Sequence, residues 1–213
     1  MDTKACVHVG EYSRGGQSRG RVAVKALDHD MQYKEKLVPG GILEPVSGQA
    51  FLFFGASNKT SDFMVDGLLL WWEQRKWAFE HVKQLVINLD NGPQCSARRG
   101  QFLLRMAQFA DLTGLSIRAI YYPPYHSKYN SIERYWAGLE KSWNGYLLDS
   151  VTTVLKRAGN FVWKGLQTTA VSLGTFYEKG VKVCGKEKRA LQARLVRNPE
   201  LQWWDVTIHP DTV

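Results

Sequence analysis

The alternation of apolar and polar positions predicts a chain that opens with strands and continues with helices and strands in turn. A short strand begins the chain, and apolar runs on either side of Ser47-Gly48 predict a β-hairpin within residues 41–57. Residues 60–62 (Thr-Ser-Asp) are typical helix N-caps, and the apolar positions that follow have helical spacing. We therefore expect a helix from this point to about residue 81.

The middle of the chain alternates between apolar runs and amphipathic segments. Residues 83–90 (KQLVINLD) form a continuous run, for which we expect a strand buried on both faces at the centre of a sheet. A helix over residues 96–112, a strand over 115–122 and a helix from about residue 130 follow, and Pro123-Pro124 end the second strand. This order predicts an α/β fold with a mixed sheet flanked by helices.

After residue 148 the pattern changes to shorter elements. It predicts a helix over 151–163, short strands within 166–184, a basic helix over 186–195 and a final strand within 203–208. We interpret residues 1–148 as the core, and residues 149–213 as a basic α+β C-terminal extension that packs on it.

Charge adds a hypothesis about partners. The 213 residues carry a net charge of +8, and residues 151–213 hold 10 Lys and Arg against 5 Asp and Glu. This excess favours a polyanionic partner such as nucleic acid. No apolar stretch approaches the ~20 residues of a membrane span, and no signal peptide is visible. We therefore expect a soluble, cytoplasmic protein.

The three cysteines, Cys6, Cys95 and Cys184, are widely separated and include no Cys-x-x-Cys pair. Their odd number and spacing argue against a disulfide framework and against a zinc site. We expect each to be a small buried apolar residue in a reducing compartment.

Three carboxylates occupy positions suited to metal chemistry. Asp2 opens the first strand, Asp90 ends the apolar run, and Glu133 lies in the first turn of the third helix. An acid at the end of a buried strand is costly to desolvate, and a divalent cation with oxygen ligands offsets that cost. Converging carboxylates of this kind can hold two ions ~3.5–4 Å apart on a phosphodiester.

Each carboxylate also has an ordinary structural interpretation. Asp90 begins a common turn sequence, Asn130 and Glu133 have capping-box spacing, and Asp2 lies at a terminus that can fray. Asp28-His29-Asp30 is a rival metal constellation, which we interpret as a polar segment between strands. The residues alone leave these alternatives open.

Several motifs resemble the catalytic core of bacterial insertion-sequence transposases of the DDE class, in particular their ISAzo-type branch. The most specific is YYPPYHSKYNSIERYW at 121–136, with LVINLDNG at 85–92 and 42 residues between Asp90 and Glu133. DTKACVHVG at 2–10 resembles the first-strand motif. GLQTTAVSLGTFYEKGVKV at 165–183 and the closing WWDVTIHP resemble the C-terminal region, so the resemblance covers nearly the whole chain.

The resemblance implies a ribonuclease-H-like fold in which Asp2, Asp90 and Glu133 are the catalytic, metal-binding triad. It implies two Mg²⁺ (or Mn²⁺) ions and metal-dependent cleavage and strand transfer of DNA during transposition. The implied partners are transposon ends and target DNA, bound by a homo-oligomer near the bacterial nucleoid.

Residues close to Glu133 and two tryptophan pairs are further candidates for DNA contacts. Lys128 and Arg134 flank Glu133 and suit DNA phosphates, although a solvated helix start has the same composition. His126 is a weaker candidate beside the leaving group. The pairs Trp71-Trp72 and Trp203-Trp204 suit base stacking or core packing, and core packing is favoured for at least one of each pair.

The chain departs from the family in one respect. Asp2 follows Met1 directly, whereas related transposases carry a long region before this aspartate. We therefore expect a truncated or split transposase. A non-catalytic DNA-binding or inhibitory fragment is the alternative function, and a nuclease that cuts without strand transfer is another.

Overall fold

The computed structural model describes residues 1–17, 22, 24–29, 35–123 and 129–211. Its chain contacts divide into two compact units, of which the first contains residues 1–2, 58–130 and 177–213, and the second residues 3–57 and 131–176. Strands of mixed direction and five α-helices occur in the described residues. The α/β fold class with mixed sheets is confirmed, and it agrees with a ribonuclease-H-like domain. The boundary at residues 148 and 149 stays a prediction.

The strands of the second unit are β2 (Val7–Val9), β3 (Glu35–Leu43), β4 (Ala50–Gly55), β7 (Val162–Trp163), β8 (Leu166–Gln167) and β9 (Thr169–Leu173), and its helices are α3 (Ser131–Ser142) and α4 (Val151–Gly159). Strand β1 (Asp2–Thr3) contributes Asp2 to the first unit and Thr3 to the second. Five of these strands form a sheet in the order β1-β3-β4-β9, with β2 paired to β3, and β7 and β8 form a two-stranded ribbon. The β3–β4 hairpin confirms the hairpin expected around Ser47-Gly48, and β9 joins β4 in parallel.

Aromatic packing fixes α3 on the sheet of the second unit. Tyr135 and Trp136 are almost fully buried, and the Tyr135 hydroxyl lies 2.8 Å from Oγ1 of Thr168. A Cβ atom at Gly41 on β3 would lie 2.8 Å from a ring carbon of Trp136. Glycine at position 41 therefore lets the helix pack directly on the backbone of the strand.

The strands of the first unit are β5 (Gln84–Leu89), β6 (Ser116–Tyr121), β10 (Leu195–Arg197) and β11 (Asp205–Ile208). They form a four-stranded sheet in the order β10-β11-β6-β5. Strands β5 and β6 are parallel, and β11 runs antiparallel to β6. The helices are α1 (Ser61–Arg75), the following 3-10 turn (Lys76–Phe79), α2 (Gly100–Thr113) and α5 (Gly185–Arg194).

The position of β5 differs from the sequence expectation. The strand is the last one in the order of its sheet, and the side chain of Val86 is 47% exposed, whereas Ile87 and Leu89 are buried. The expectation of burial on both faces along the whole run was therefore wrong. A continuous apolar run does not reveal whether a strand has neighbours on both sides, because that depends on distant parts of the chain.

The first helix begins where the sequence predicts. The hydroxyl of Thr60 accepts a hydrogen bond of 3.2 Å from the backbone N–H of Phe63, which satisfies one free donor of the first turn. Trp71 and Trp72 are buried in the core, and Trp72 stacks on Phe79. Core packing, rather than base stacking, is thus confirmed for this pair. In the described parts of the chain, no helix is both long and apolar enough to cross a membrane.

Candidate active site

The candidate site is at the carboxyl end of β5, where Asp90 follows the last strand residue directly. The parallel neighbour β6 ends at the same edge of the sheet, and the backbone N–H of Tyr122 donates to the carbonyl of Leu89 over 2.9 Å. In open α/β sheets the carboxyl ends of parallel strands are the usual position of functional residues. The strand thus places Asp90 where such chemistry is commonly found.

The Asp90 carboxylate is held by the loop that follows it. The thiol of Cys95 lies 3.1 Å from the carbonyl oxygen of Asp90 and 3.3 Å from its Oδ1. Cys95 is fully buried, and this burial, together with the nearby Asp90 charge, raises the pKa of its thiol. The thiol therefore stays protonated and can donate a hydrogen bond to Asp90.

Gly92 makes room for the second oxygen of this carboxylate. Its carbonyl accepts hydrogen bonds from the backbone N–H groups of Cys95 and Ser96, so the loop turns tightly after the strand. A Cβ atom at position 92 would lie 3.2 Å from Oδ2 of Asp90 and 2.9 Å from the side-chain nitrogen of Gln94. The absence of a side chain at Gly92 therefore keeps space beside Oδ2.

Asp2 belongs to the first unit, as Asp90 does, and both carboxylates act on the Met1 amino group. It is 5% exposed, and the neighbouring Met1 ammonium donates a hydrogen bond of 2.9 Å to the carbonyl of Asn88. Burial lowers the pKa of this ammonium, whereas the carboxylates of Asp2 and Asp90 favour its charged form. The hydrogen bond to Asn88 thus places Asp2 beside the end of β5 that precedes Asp90.

Glu133 and Arg134 lie in the second unit, in the first turn of α3. Glu133 is partly buried and Arg134 is exposed, while Ile132, Tyr135 and Trp136 anchor the same turn in the core of that unit. The expected helix and the position of Glu133 in its first turn are therefore correct. The catalytic role of Glu133 stays a prediction.

Other sequence candidates are less informative. Lys128 and His126 lie outside the described residues, as does Asp30 of the rival constellation. Asp28 and His29 are strongly exposed and 3.5 Å apart. Among residues 1–17, 22, 24–29, 35–123 and 129–211, no three His, Cys, Asp or Glu side chains form a cluster that could hold a metal.

Sequence reasoning missed Cys95 as a partner of Asp90. The expectation that Cys95 is a small buried residue was correct, but it included no contact of the thiol. The expected burial of Cys6 and Cys184 was wrong, because both are exposed and form no disulfide. The available signal was the position of Cys95 in the loop directly after Asp90. A loop of this length can return a side chain to the carboxylate that begins it.

A divalent metal is compatible with the donors that the first unit supplies. Asp2 and Asp90 are both carboxylates, which are the oxygen ligands that Mg²⁺ and Mn²⁺ prefer. The donor set therefore suits a cation.

An α/β domain with acidic residues at a strand end is the architecture of ribonuclease-H-like DDE enzymes. The chain matches the family described as the Rhodopirellula transposase DDE domain over residues 1–210. Since this match covers almost the entire chain, the protein belongs to that transposase family, and the resemblance seen in the sequence is confirmed. Comparisons with curated proteins and with solved structures find no match.

Proposed function

We propose that this transposase DDE domain cleaves DNA strands and joins them to target DNA in a metal-dependent reaction. Asp2, Asp90 and Glu133 are the proposed catalytic triad, and they would hold two Mg²⁺ or Mn²⁺ ions. Bound divalent ions supply Lewis-acid stabilisation of the attacking and leaving oxygens of a phosphodiester. The proposed partners are transposon ends and target DNA, bound by a homo-oligomer.

The observation that carries the proposal is the common environment of Asp2 and Asp90. The Met1 amino group, directly before Asp2, donates a hydrogen bond of 2.9 Å to the carbonyl of Asn88, two residues before Asp90, so Asp2 lies beside the strand end that carries Asp90. Asp2 is 5% exposed and Asp90 is partly buried, and a divalent cation offsets the cost of desolvating such carboxylates. Two carboxylates at one strand end are therefore suited to a divalent ion.

In this proposal, some residues of the chain bind the metal ions and others bind the DNA backbone. Asp2 and Asp90 provide oxygen ligands from the first unit, and Glu133 provides one from the first turn of α3. The guanidinium of Arg134 is exposed beside Glu133 and suits a DNA phosphate near the scissile bond. Lys128 is proposed to act in the same way. The Cys95 thiol orients one oxygen of Asp90 and leaves the other beside Gly92.

The proposal is tested by titrating the folded chain with Mn²⁺ in a calorimeter, beside Asp90→Asn and Glu133→Gln. Glu140→Gln is the matched control, because Glu140 lies on the same helix as Glu133, is exposed and pairs with Lys4 at 3.3 Å. We expect the first two variants to weaken Mn²⁺ binding by about 10-fold or more, since each loses a charged ligand. Glu140→Gln should bind as the unaltered chain does.

The same samples are then incubated with labelled DNA and Mn²⁺, and the products are separated. Joined products support strand transfer, whereas cut products alone indicate a nuclease that does not join strands. Absence of Mn²⁺ binding by a chain with a cooperative thermal transition would reject the catalytic proposal. DNA binding without cleavage would then support the alternative of a DNA-binding or inhibitory fragment.

A further inference from the structure

Two arginines lie over one tryptophan ring in the first unit. The guanidinium carbon of Arg98 is 4.6 Å from the ring centroid of Trp203, and that of Arg197 is 4.8 Å from the same centroid. Both distances are within the range of favourable cation–π contacts. We call this group of three residues the arginine–tryptophan stack.

The stack connects the loop after Asp90 to the C-terminal strands. Arg98 lies in that loop, two residues before α2 begins at Gly100, and Arg197 ends β10. The Arg197 guanidinium donates to the carbonyl of Ala97 over 3.0 Å and to that of Gln202 over 2.8 Å. Arg197 therefore fixes the geometry of the stack by binding the carbonyls of the residues that directly precede Arg98 and Trp203.

Arg98 differs from Arg197 because its guanidinium remains available. The side chain is exposed, and in the described parts of the chain no carboxylate forms an ion pair with either arginine of the stack. Glu200 lies in the same turn as Trp203, and Asp205 is paired with Arg118. Two positive charges on one ring repel each other, so an anion bound here would be stabilised.

The stack lies near the sheet edge that carries Asp90. The carbonyl of Trp204, the neighbour of Trp203, accepts a hydrogen bond of 2.8 Å from the backbone N–H of Tyr121, the last residue of β6. Strand β5, the parallel neighbour of β6, ends directly before Asp90. DNA bound at Asp90 would therefore have the stack nearby.

We propose that Arg98, Trp203 and Arg197 form a DNA subsite beside Asp90, in which Arg98 binds a backbone phosphate and Trp203 contacts the adjoining sugar or base. The assignment rests on the proposed function, because it takes DNA as the substrate at Asp90. Arginine is suited to this role, since its planar guanidinium stacks on an aromatic ring and binds phosphate with the same group. Arg197 is a positioning residue that holds the ring and the loop.

The test measures binding of a fluorescently labelled DNA duplex by anisotropy in Ca²⁺, at several salt concentrations. Arg98→Gln is compared with the unaltered chain, with Arg98→Lys and with the control Arg75→Gln. Arg75 is a suitable control because it lies in the same unit and over an aromatic ring, Phe79 at 5.5 Å, but at the end of α1. The two glutamine variants remove the same charge from the same kind of contact.

We expect Arg98→Gln to weaken DNA binding about 5-fold or more and to lower the slope of log affinity against log salt by about 1, as loss of one phosphate contact does. Arg98→Lys should retain part of the affinity, and Arg75→Gln should change it less than about 2-fold. Equal affinities of Arg98→Gln and Arg75→Gln would overturn the subsite while leaving the proposed function intact. Absence of DNA binding by the unaltered chain would overturn both.

Discussion

The thiol of Cys95 is 3.3 Å from Oδ1 of Asp90 and 3.1 Å from the carbonyl oxygen of the same residue. Because the thiol is fully buried, water does not compete for this contact. One side chain thus fixes both the rotamer of the carboxylate and the backbone at the end of β5. A residue that orients a metal-ligating carboxylate in this way is commonly needed for full metal affinity, which gives Cys95 a part in the metal binding proposed for Asp90.

Replacing Cys95 should change metal binding through Asp90. We expect Cys95→Ala to weaken Mn²⁺ binding about 10-fold, because Asp90 loses the donor that orients it. Cys95→Ser keeps a donor at the same position and should restore most of the affinity. Calorimetric titration measures both variants. Equal affinities for the alanine variant and the unaltered chain, at equal thermal stability, would contradict a positioning role.

Asp90→Asn should separate catalysis from DNA binding. The substitution removes the charge of a proposed metal ligand, so DNA cleavage should fall by about 100-fold or more. DNA affinity should stay the same or rise, since a negative charge near the phosphates is removed. Gel analysis of cleavage and anisotropy of labelled DNA measure the two effects. Asp28→Asn, at an exposed position, is the control, and full cleavage by Asp90→Asn would refute the triad.

The fold itself can be tested at the start of α1. Thr60→Ala removes the hydroxyl that accepts from Phe63, at a cost of about 1 kcal/mol. For a chain of this length the thermal midpoint should fall by roughly 2–4 °C. Thr60→Ser keeps the cap and should unfold close to the unaltered protein. Identical midpoints for all three proteins in a calorimetric scan would show that this contact contributes nothing.

The ion pair between Asp205 and Arg118 should make stability depend on pH. Nε of Arg118 donates to Oδ1 of Asp205 over 2.9 Å, and Nη2 of Arg118 donates to Oδ2 over 2.6 Å. These two hydrogen bonds lower the pKa of the Asp205 carboxyl. The stabilisation is therefore present above the unfolded pKa of about 3.9 and is lost as pH falls through the lower folded value. Asp205→Asn should lower the thermal midpoint at pH 6, and the difference should shrink towards pH 2.

A matched substitution on the other side of the pair separates this effect from general acid unfolding. Arg118→Gln should reduce the midpoint at pH 6 and show the same convergence at low pH, because either change removes one interaction. A difference between the unaltered chain and Asp205→Asn that stays constant from pH 6 to pH 2 would contradict a role for the Asp205 charge.

The sequence predicted the local elements better than it predicted their neighbours. The cap at Thr60 and the hairpin around Ser47-Gly48 depend on short-range chemistry, and both are present. The end position of β5 depends on which distant strands pair with it, and the apolar run gave no sign of it. Local patterns constrain the backbone of a few residues, whereas strand pairing is decided by the packing of the whole unit.

The same distinction applies to the candidate site. The sequence placed Asp90 at a strand end and Glu133 in the first turn of a helix, because both positions follow from local patterns. It did not predict the Cys95 contact or the association of Arg98 and Arg197 with Trp203, since these depend on side-chain directions after folding. The motif alone identified the acids but not the residues that orient or surround them.

The close approach of Gly41 to Trp136 links the β-hairpin to the helix turn that begins near Glu133. A methyl group at position 41 would act as a spacer and push α3 away from β3, because the indole is held among buried aromatic rings and has no room to withdraw. The position of the helix turn that carries Glu133 therefore depends on a residue that has no side chain. A substitution at position 41 of the hairpin would move that turn although it leaves Glu133 itself unchanged.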